Sequence, residues 1–357
     1  MNHRERILAA IRHQPVDRIP TDIWATSEVW DKLHRHFGTH STLELYECLD
    51  IDGIVGISPP YLGEPYIGSP YIEPSLRQDH SLKFDEWGMG YRQQAYPGGT
   101  YDEQVIFPLA QAETLADLES YPWPSPDLYD YARLPELAAQ FPGRAIECGY
   151  TAIFYWHNRL RGLERSLMDP LDQPEMTHFL VQRLSDFFTE YHRRCFAALQ
   201  GRADLTQVTD DFGSQAGLLI SPRVFDRFYR APMQRAIDLA KHYGLLVFHH
   251  DDGDLRPLLP RLVEMGIDVL NPVQWRCGGW DLADLKARYG DRLCFHGGVD
   301  NQHTLPFGTA EEVQQEVRWL LGTLGRDRTG LILAPCHNLQ AVTPVENIIA
   351  MYTANRK

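Results

Sequence analysis

No stretch of this chain approaches the roughly 18–20 consecutive apolar residues that a membrane-spanning helix needs. Positive charge is also in short supply. Lys and Arg number 34 against 48 Asp and Glu, a formal net charge of −14. An acidic surface repels phosphates, which disfavours nucleic acid or an anionic membrane as a partner. Cysteine is sparse and dispersed: Cys48, Cys148, Cys195, Cys277, Cys294 and Cys336 include no CxxC pair. A disulfide framework is therefore not expected, and a reducing cytoplasm suits the chain better. The opening MNHRERILAAIRHQP has basic residues but no apolar core, so it does not read as a secretory signal. Missing too are a GxGxxG after the first strand, a P-loop and a GxSxG, which removes support for dinucleotide-binding, nucleotide-hydrolysing and serine-hydrolase readings.

What is present is an ordinary globular composition, 43% hydrophobic and 23% charged over 357 residues. Residues 2–13 read as a short amphipathic helix with Ile7, Leu8 and Ile11 on one side. The stretch 59–105 is rich in Gly, Pro and Tyr and carries Asp85-Glu86-Trp87-Gly88. Such punctuation predicts hairpins and long loops, an insertion covering one end of the core. From about residue 144 the pattern becomes regular. Strands are expected at Ile51–Ile57, Arg144–Cys148, Leu205–Thr209, Leu245–His249, Val269–Asn271, Leu293–His296 and Leu331–Ala334.

Helical patterns lie between them. Ser221-Pro222 reads as an N-cap followed by proline, and Thr309 to Glu312 and Thr343 to Glu346 as capping boxes. Gly244, Gly266 and Gly325 sit where helices should stop. Strand–helix alternation implies a parallel sheet. Seven or eight such units in roughly 300 residues suit a closed α/β TIM barrel, (β/α)8, over a doubly wound sheet. The expectation is one domain over 1–357, with an N-terminal extension and the 59–105 insertion at the barrel mouth.

A barrel places its chemistry at the C-terminal strand ends. Five consecutive expected strands run into Asp210-Asp211, His250-Asp251-Asp252-Gly253-Asp254, Asn271-Pro272-Val273-Gln274, His296-Gly297-Gly298-Val299-Asp300 and Cys336-His337-Asn338. His250 and Asp252, two apart on an extended segment, point the same way, and Gly253 lets the chain turn. With Cys336 or His337 they form a donor set suited to zinc or another divalent metal. The bland alternative is structural hydrogen bonding, and for Asp254 a helix cap is the preferred role. Of the adjacent Asp210 and Asp211, one should face the mouth, and Asp211 is the choice, as base or substrate contact. Glu147 is a second catalytic candidate, and Tyr150, Gln274, Asp300 and Asn338 are substrate-binding candidates. His296 reads equally as a satisfied core histidine, and Asp300 as a loop staple. Tyr61, Trp87, Tyr150, Tyr155 and Trp156 can wall an aromatic pocket or simply pack.

The runs from His250 to Leu258, Gly266 to Gln274, Tyr289 to Asp300 and Leu333 to Asn347 resemble the uroporphyrinogen decarboxylase superfamily. So do Arg4 to Ala10 and Asp17-Arg18-Ile19-Pro20. The resemblance implies a distorted (β/α)8 barrel with its site at the strand C-termini. The decarboxylases of that superfamily grip a substrate with eight carboxylates through arginines. Their arginine-bearing N-terminal signature is replaced here by Trp24-Ala25-Thr26-Ser27-Glu28, and the pyrrole-binding aspartate by Gly56-Ile57-Ser58-Pro59-Pro60. The zinc-dependent, cobalamin-linked methyltransferase branch carries a His-x-Cys and a later Cys. The matching positions read His250, Asp252 and His337, with Cys336 adjacent.

The resemblance thus implies a metal-dependent methyltransferase acting on a small molecule. His250, Asp252, His337 and Cys336 would be ligands, with Asp211, Glu147 and His337 as acid–base groups. A corrinoid protein is the implied methyl carrier and partner. The alternatives are a metal-free carboxy-lyase using Asp211 and His337, and a non-catalytic corrinoid- or tetrapyrrole-binding barrel. Members of the superfamily are often dimers, so a homodimer is a further expectation.

Overall fold

The computed structural model describes residues 1–66, 71–96 and 99–356. In chain order its strands are β1 (Ile54–Ile57), β2 (Leu82–Phe84), β3 (Gly90–Tyr96), β4 (Gly99–Ile106), β5 (Ala145–Thr151), β6 (Leu205–Val208), β7 (Gly213–Ser214), β8 (Gly217–Leu218), β9 (Leu246–His250), β10 (Val269–Asn271), β11 (Cys294–Val299) and β12 (Leu331–Pro335). Strands β1, β5, β6, β9, β10, β11 and β12 pair in that order, all in parallel. These are the seven strands the sequence pattern predicts, with slightly shifted ends.

Side chains alternate between strand faces with a period of two. On the concave face Ala145, Leu205, Phe248, Val269, Cys294 and Ile332 form one apolar cluster. Ile7 and Ile11, from the first helix, join that cluster and plug the lower end of the barrel. Two residues further along the same strands, the lumen turns polar. Glu147 follows Ala145, Gln207 follows Leu205, His250 follows Phe248, Asn271 follows Val269 and His296 follows Cys294. The barrel therefore has an oily base and a polar upper layer, fixed by strand parity alone.

The eighth place in the wall is taken by residues 20–25, which the sequence pattern placed in an N-terminal extension. The Leu333 N–H donates to the Pro20 carbonyl (2.9 Å) and the Asp22 N–H to the Leu333 carbonyl (3.0 Å). On the other side the Asp52 and Gly53 N–H groups donate to the Thr21 carbonyl, and the Ile54 N–H to Asp22 Oδ1. The segment thus bridges β12 to the chain entering β1. Its residues, Pro20 to Ala25, carry no strand alternation, so local pattern does not reveal it.

Several helix signals form as the sequence predicts. Asn2 and Glu5 make a capping box at the first helix, and Thr309 and Glu312 make another. Ser221 Oγ accepts from the Val224 N–H. Two expectations fail. Pro344, not Thr343, sits at the N-cap of Val345–Ala354, because proline there sets the entry angle and Thr343 Oγ1 is buried without a partner. Asp254 is not the helix cap expected of it: the next helix begins at Leu259, and Asp254 instead holds Arg256 through two charged hydrogen bonds.

In the 59–105 stretch, β2, β3 and β4 form an antiparallel sheet. Residues 67–70 and 97–98 of that stretch lie outside the described residues. Trp87, between β2 and β3, packs 4.7 Å from Trp156 and from Phe187, which anchors the insertion on the barrel.

Gly253 meets the β7–β8 hairpin closely. Its φ is +85°, and a Cβ there would come within 2.5 Å of the Ser214 carbonyl oxygen. Backbone cannot yield as a flexible side chain can. Gly253→Ala should therefore cost on the order of 3 kcal/mol, read by urea denaturation. A change below about 0.5 kcal/mol would show that the hairpin moves freely.

Candidate functional site

His250 ends β9, and Asp252 follows on the turn that Gly253 permits. His337 follows β12, the strand three places further round the barrel. One ligand atom from each of these three residues falls within 4.8 Å of the others. His337 Nε2 stands 3.5 Å from Asp252 Oδ2, and His250 Nε2 stands 3.8 Å from Asp252 Oδ1. Ligands about 2.0–2.1 Å from a shared tetrahedral zinc are about 3.3 Å apart. The spacing and the N/O donor chemistry both fit a divalent metal.

The His250 ring is fixed by a buried chain of side chains. Its Nδ1–H donates to Asn271 Oδ1 (2.6 Å). Asn271 Nδ2 donates to His296 Nδ1 (2.7 Å), and His296 Nε2–H donates to Asp22 Oδ2 (3.0 Å). Each link dictates the tautomer of the next. The result leaves the His250 Nε2 lone pair facing Asp211, Asp252 and His337. Asp22, Asn271 and His296 are wholly or almost wholly buried. Asp252 is held in turn by Gln274, whose Nε2 donates to Oδ1 (2.9 Å), while Gln274 Oε1 accepts from the Gly253 N–H (2.7 Å).

His337 is set differently. Its Nδ1 accepts from the Asn338 backbone N–H (2.7 Å), so the neutral ring carries its proton on Nε2, toward Asp252. Ligation through Nε2 requires that bond to be given up. Burial holds the His337 ring below the usual histidine range. Asp211 Oδ1 lies 3.6 Å from His250 Nε2. Burial pushes Asp211 up to about 6; His250 opposes the rise, and Asp251 and Asp252 add to it. Its neighbour Asp210 points away and caps the helix Ile153–Arg161, accepting from the Phe154 and Tyr155 N–H groups.

Three sequence candidates stand apart from this cluster. Cys336 is not brought into the donor set: its buried Sγ contacts the Val273 carbonyl (3.4 Å), and burial pushes the thiol up, away from the thiolate a metal needs. Adjacent residues on an extended chain point opposite ways, so His337 facing the mouth turns Cys336 inward. Asp300 is a loop staple, accepting from Arg276 Nε (2.5 Å) and the Gln302 N–H (2.9 Å). Asn338 contributes its backbone N–H to His337 as described.

Glu147 and Tyr150 line a separate cavity of about 430 Å3 at the mouth. Tyr150 reaches it through a bulge in β5 at Gly149, whose φ is +99°. Glu147 accepts from Gln207 Nε2 (2.8 Å). Burial pushes its carboxyl up to about 8, with Asp22 adding to the rise and Gln207 opposing it. Between about 4.5 and 8 the folded protein keeps a proton that the unfolded chain has lost. The stability this provides is full at low pH and is lost as pH rises through 8. Glu147→Gln should therefore gain on wild type by on the order of 3 kcal/mol between about pH 5 and pH 9. Urea denaturation at the two pH values checks this; a constant difference would refute it.

Sequence reasoning missed Asp22, Trp24 and Asn271 as an orienting group, whereas His296 is the satisfied core histidine of one of its two readings, with both ring nitrogens bonded. Trp24 lies 5.4 Å from the His250 ring, 5.8 Å from His296 and 6.2 Å from His337. The one available signal was that Trp24 stands where the decarboxylases carry their arginine signature.

Comparison with known proteins follows the same lines. A solved structure described as a methyltransferase from Methanosarcina mazei superposes with a TM-score of 0.64, covering 100% of this chain and 98% of that one. The two are 18% identical, so this likeness is one of fold. The uroporphyrinogen decarboxylase of Aliivibrio salmonicida is 24% identical over 181 residues, 49% of this chain and 46% of that protein. That of Psychromonas ingrahamii is 26% identical over 181 residues, with the same shares. The chain thus spans about half the length of the curated relatives it matches. The uroporphyrinogen decarboxylase (URO-D) family model matches residues 148–357, more than half of the chain and the part that carries His250, Asp252 and His337. This chain therefore belongs to the URO-D family.

Proposed function

We propose that this protein is a metal-dependent enzyme that moves a methyl group to or from a small molecule. The carrying observation is the convergence of His250, Asp252 and His337, with the His250 lone pair aimed inward by the Asp22–His296–Asn271 chain. His250 and Asp252 would hold zinc or another divalent ion as they stand, and His337 would complete the set on releasing the Asn338 N–H. Such an ion supplies Lewis acidity toward an oxygen- or nitrogen-bearing group. Gln274 keeps Asp252 in place. Asp211, poised near neutrality beside His250, would take or hold a substrate proton. Trp24 would shield the cluster from water on one side. A corrinoid protein is the methyl carrier that this reading calls for.

A carboxy-lyase acting on a polycarboxylate has less support. Among the described residues no Lys or Arg lines the 430 Å3 cavity, and ionised carboxylates need such partners when desolvated. The test is elemental analysis of protein purified without an affinity tag. Stoichiometric zinc or another divalent metal is expected, and Cys336→Ser should retain it because its sulfur faces Val273. A metal-free wild type that also fails to take up added zinc would overturn the reading.

A further inference from the structure

The cavity that holds Glu147 and Tyr150, separate from the His250–Asp252–His337 cluster, has a composition of its own. Its upper wall is Trp87, Tyr129, Trp156, Phe187, Phe188 and Tyr191. These rings hold one another in place: Tyr129 lies 4.9 Å from Tyr191, and Trp87 lies 4.7 Å from both Trp156 and Phe187. The acidic residues on the wall are Glu86 and Glu147, and burial keeps Glu147 protonated near neutral pH, which leaves Glu86 as the carboxylate. Tyr129 donates its hydroxyl to Glu86 Oε1 (2.8 Å), which fixes that carboxylate at the aromatic wall. Trp156 Nε1 is buried without a partner among the described residues. Glu147 and Gln207 close the floor as a hydrogen-bonded pair.

Aromatic faces are negative, and a desolvated cation against them gains from every ring it meets. An anion meets those faces and Glu86 with nothing to balance it. A primary ammonium would lose three strong hydrogen bonds to water and find few replacements on a ring wall. A methylated ammonium loses little hydration, fills apolar space with its methyls and still answers the carboxylate. The volume, about 430 Å3, suits a small molecule of that kind.

We propose that this aromatic chamber binds a methylated ammonium group, held by the ring wall around Trp87 and Trp156 and by the Glu86 carboxylate. The proposal names the substrate class for the methyl-transfer reading and rests on it for its chemistry. The binding itself does not depend on metal. Two of the wall residues, Trp87 and Trp156, are fluorescent reporters.

The experiment titrates choline and its uncharged isostere 3,3-dimethylbutan-1-ol into chelator-treated and zinc-loaded protein. Calorimetry and tryptophan fluorescence read the binding, and anisole serves as a neutral aromatic probe. Choline should bind at least tenfold more tightly than the isosteric alcohol in both preparations. Glu86→Gln, which keeps the Tyr129 bond, should weaken choline about five- to tenfold and leave the alcohol unchanged. Trp156→Phe should weaken choline less, with near-ultraviolet circular dichroism confirming the fold. Equal binding of the alcohol, preference for anisole, or no binding of choline would each overturn the proposal. Choline binding by a protein that takes up no zinc would sink the metal reading alone. Stoichiometric zinc without choline binding would sink this one alone.

Discussion

Asn271→Leu should lower zinc affinity about ten- to a hundredfold although Asn271 is no ligand itself and only holds the His250 ring from behind. Leucine is close to asparagine in volume but offers neither acceptor nor donor. His250 Nδ1–H then loses its only acceptor at 2.6 Å, and His296 loses its donor at 2.7 Å. The His250 ring is free to take the other tautomer, which puts a proton where the lone pair should be. Asn271→Asp is the discriminating variant. It keeps an acceptor for His250, so most of the affinity should return, although the donor to His296 is gone. His250→Ala should lose more than Asn271→Leu, because it removes a ligand outright. Zinc titration against a chromophoric chelator measures all three. If Leu and Asp at position 271 weaken zinc equally, Asn271 acts through packing and the orienting chain has no bearing on the metal.

Asp52→Ala should destabilise the protein by about 3–5 kcal/mol, the usual cost of stranding a buried cation. The Asp52 side chain is fully buried. It pairs with Arg6 and Arg18, contacts His3 Nδ1 at 3.0 Å, and accepts the Thr21 N–H at 3.0 Å. Arg6 is itself nearly buried and, among the described residues, retains only Asp17 as a charged partner once Asp52 is gone. The same carboxylate pins the wall segment that carries Asp22 and Trp24. Loss of Asp52 should therefore weaken zinc binding as well as lower the urea midpoint. Asp52→Asn, which keeps the shape and an acceptor, should cost less. A loss below about 1 kcal/mol in the alanine variant would show that Arg6 and Arg18 find other partners.

The two predictions fall on opposite sides of what the sequence reveals. The seven strands were legible because apolar runs, cap residues and helix-stopping glycines all act over a few residues. Strand parity then assigns faces, which is how Glu147, Gln207 and His250 come to share a lumen. The His250–Asp252 spacing was legible for the same reason. Other features were not. Cys336 and His337 are neighbours in sequence, and only the path of the chain after β12 turns one inward and the other outward. Asp300 looked like a site residue because it follows a strand, yet Arg276 claims its carboxylate.

The barrel closure shows the difference most sharply. His296 and Asp22 are separated by 274 positions and meet at 3.0 Å. No local pattern encodes such a contact, because it depends on how many strands fit round the ring and where the chain ends meet. The sequence by itself determined the family of elements, the acidic balance that disfavours anionic partners, and the strand-end residues available for chemistry. Only the tertiary structure decided which of them converge, since convergence is set by ring closure and by which buried donor finds which acceptor. That closure brings residues 20–25 against β12, and with them the aspartate and tryptophan that complete the site.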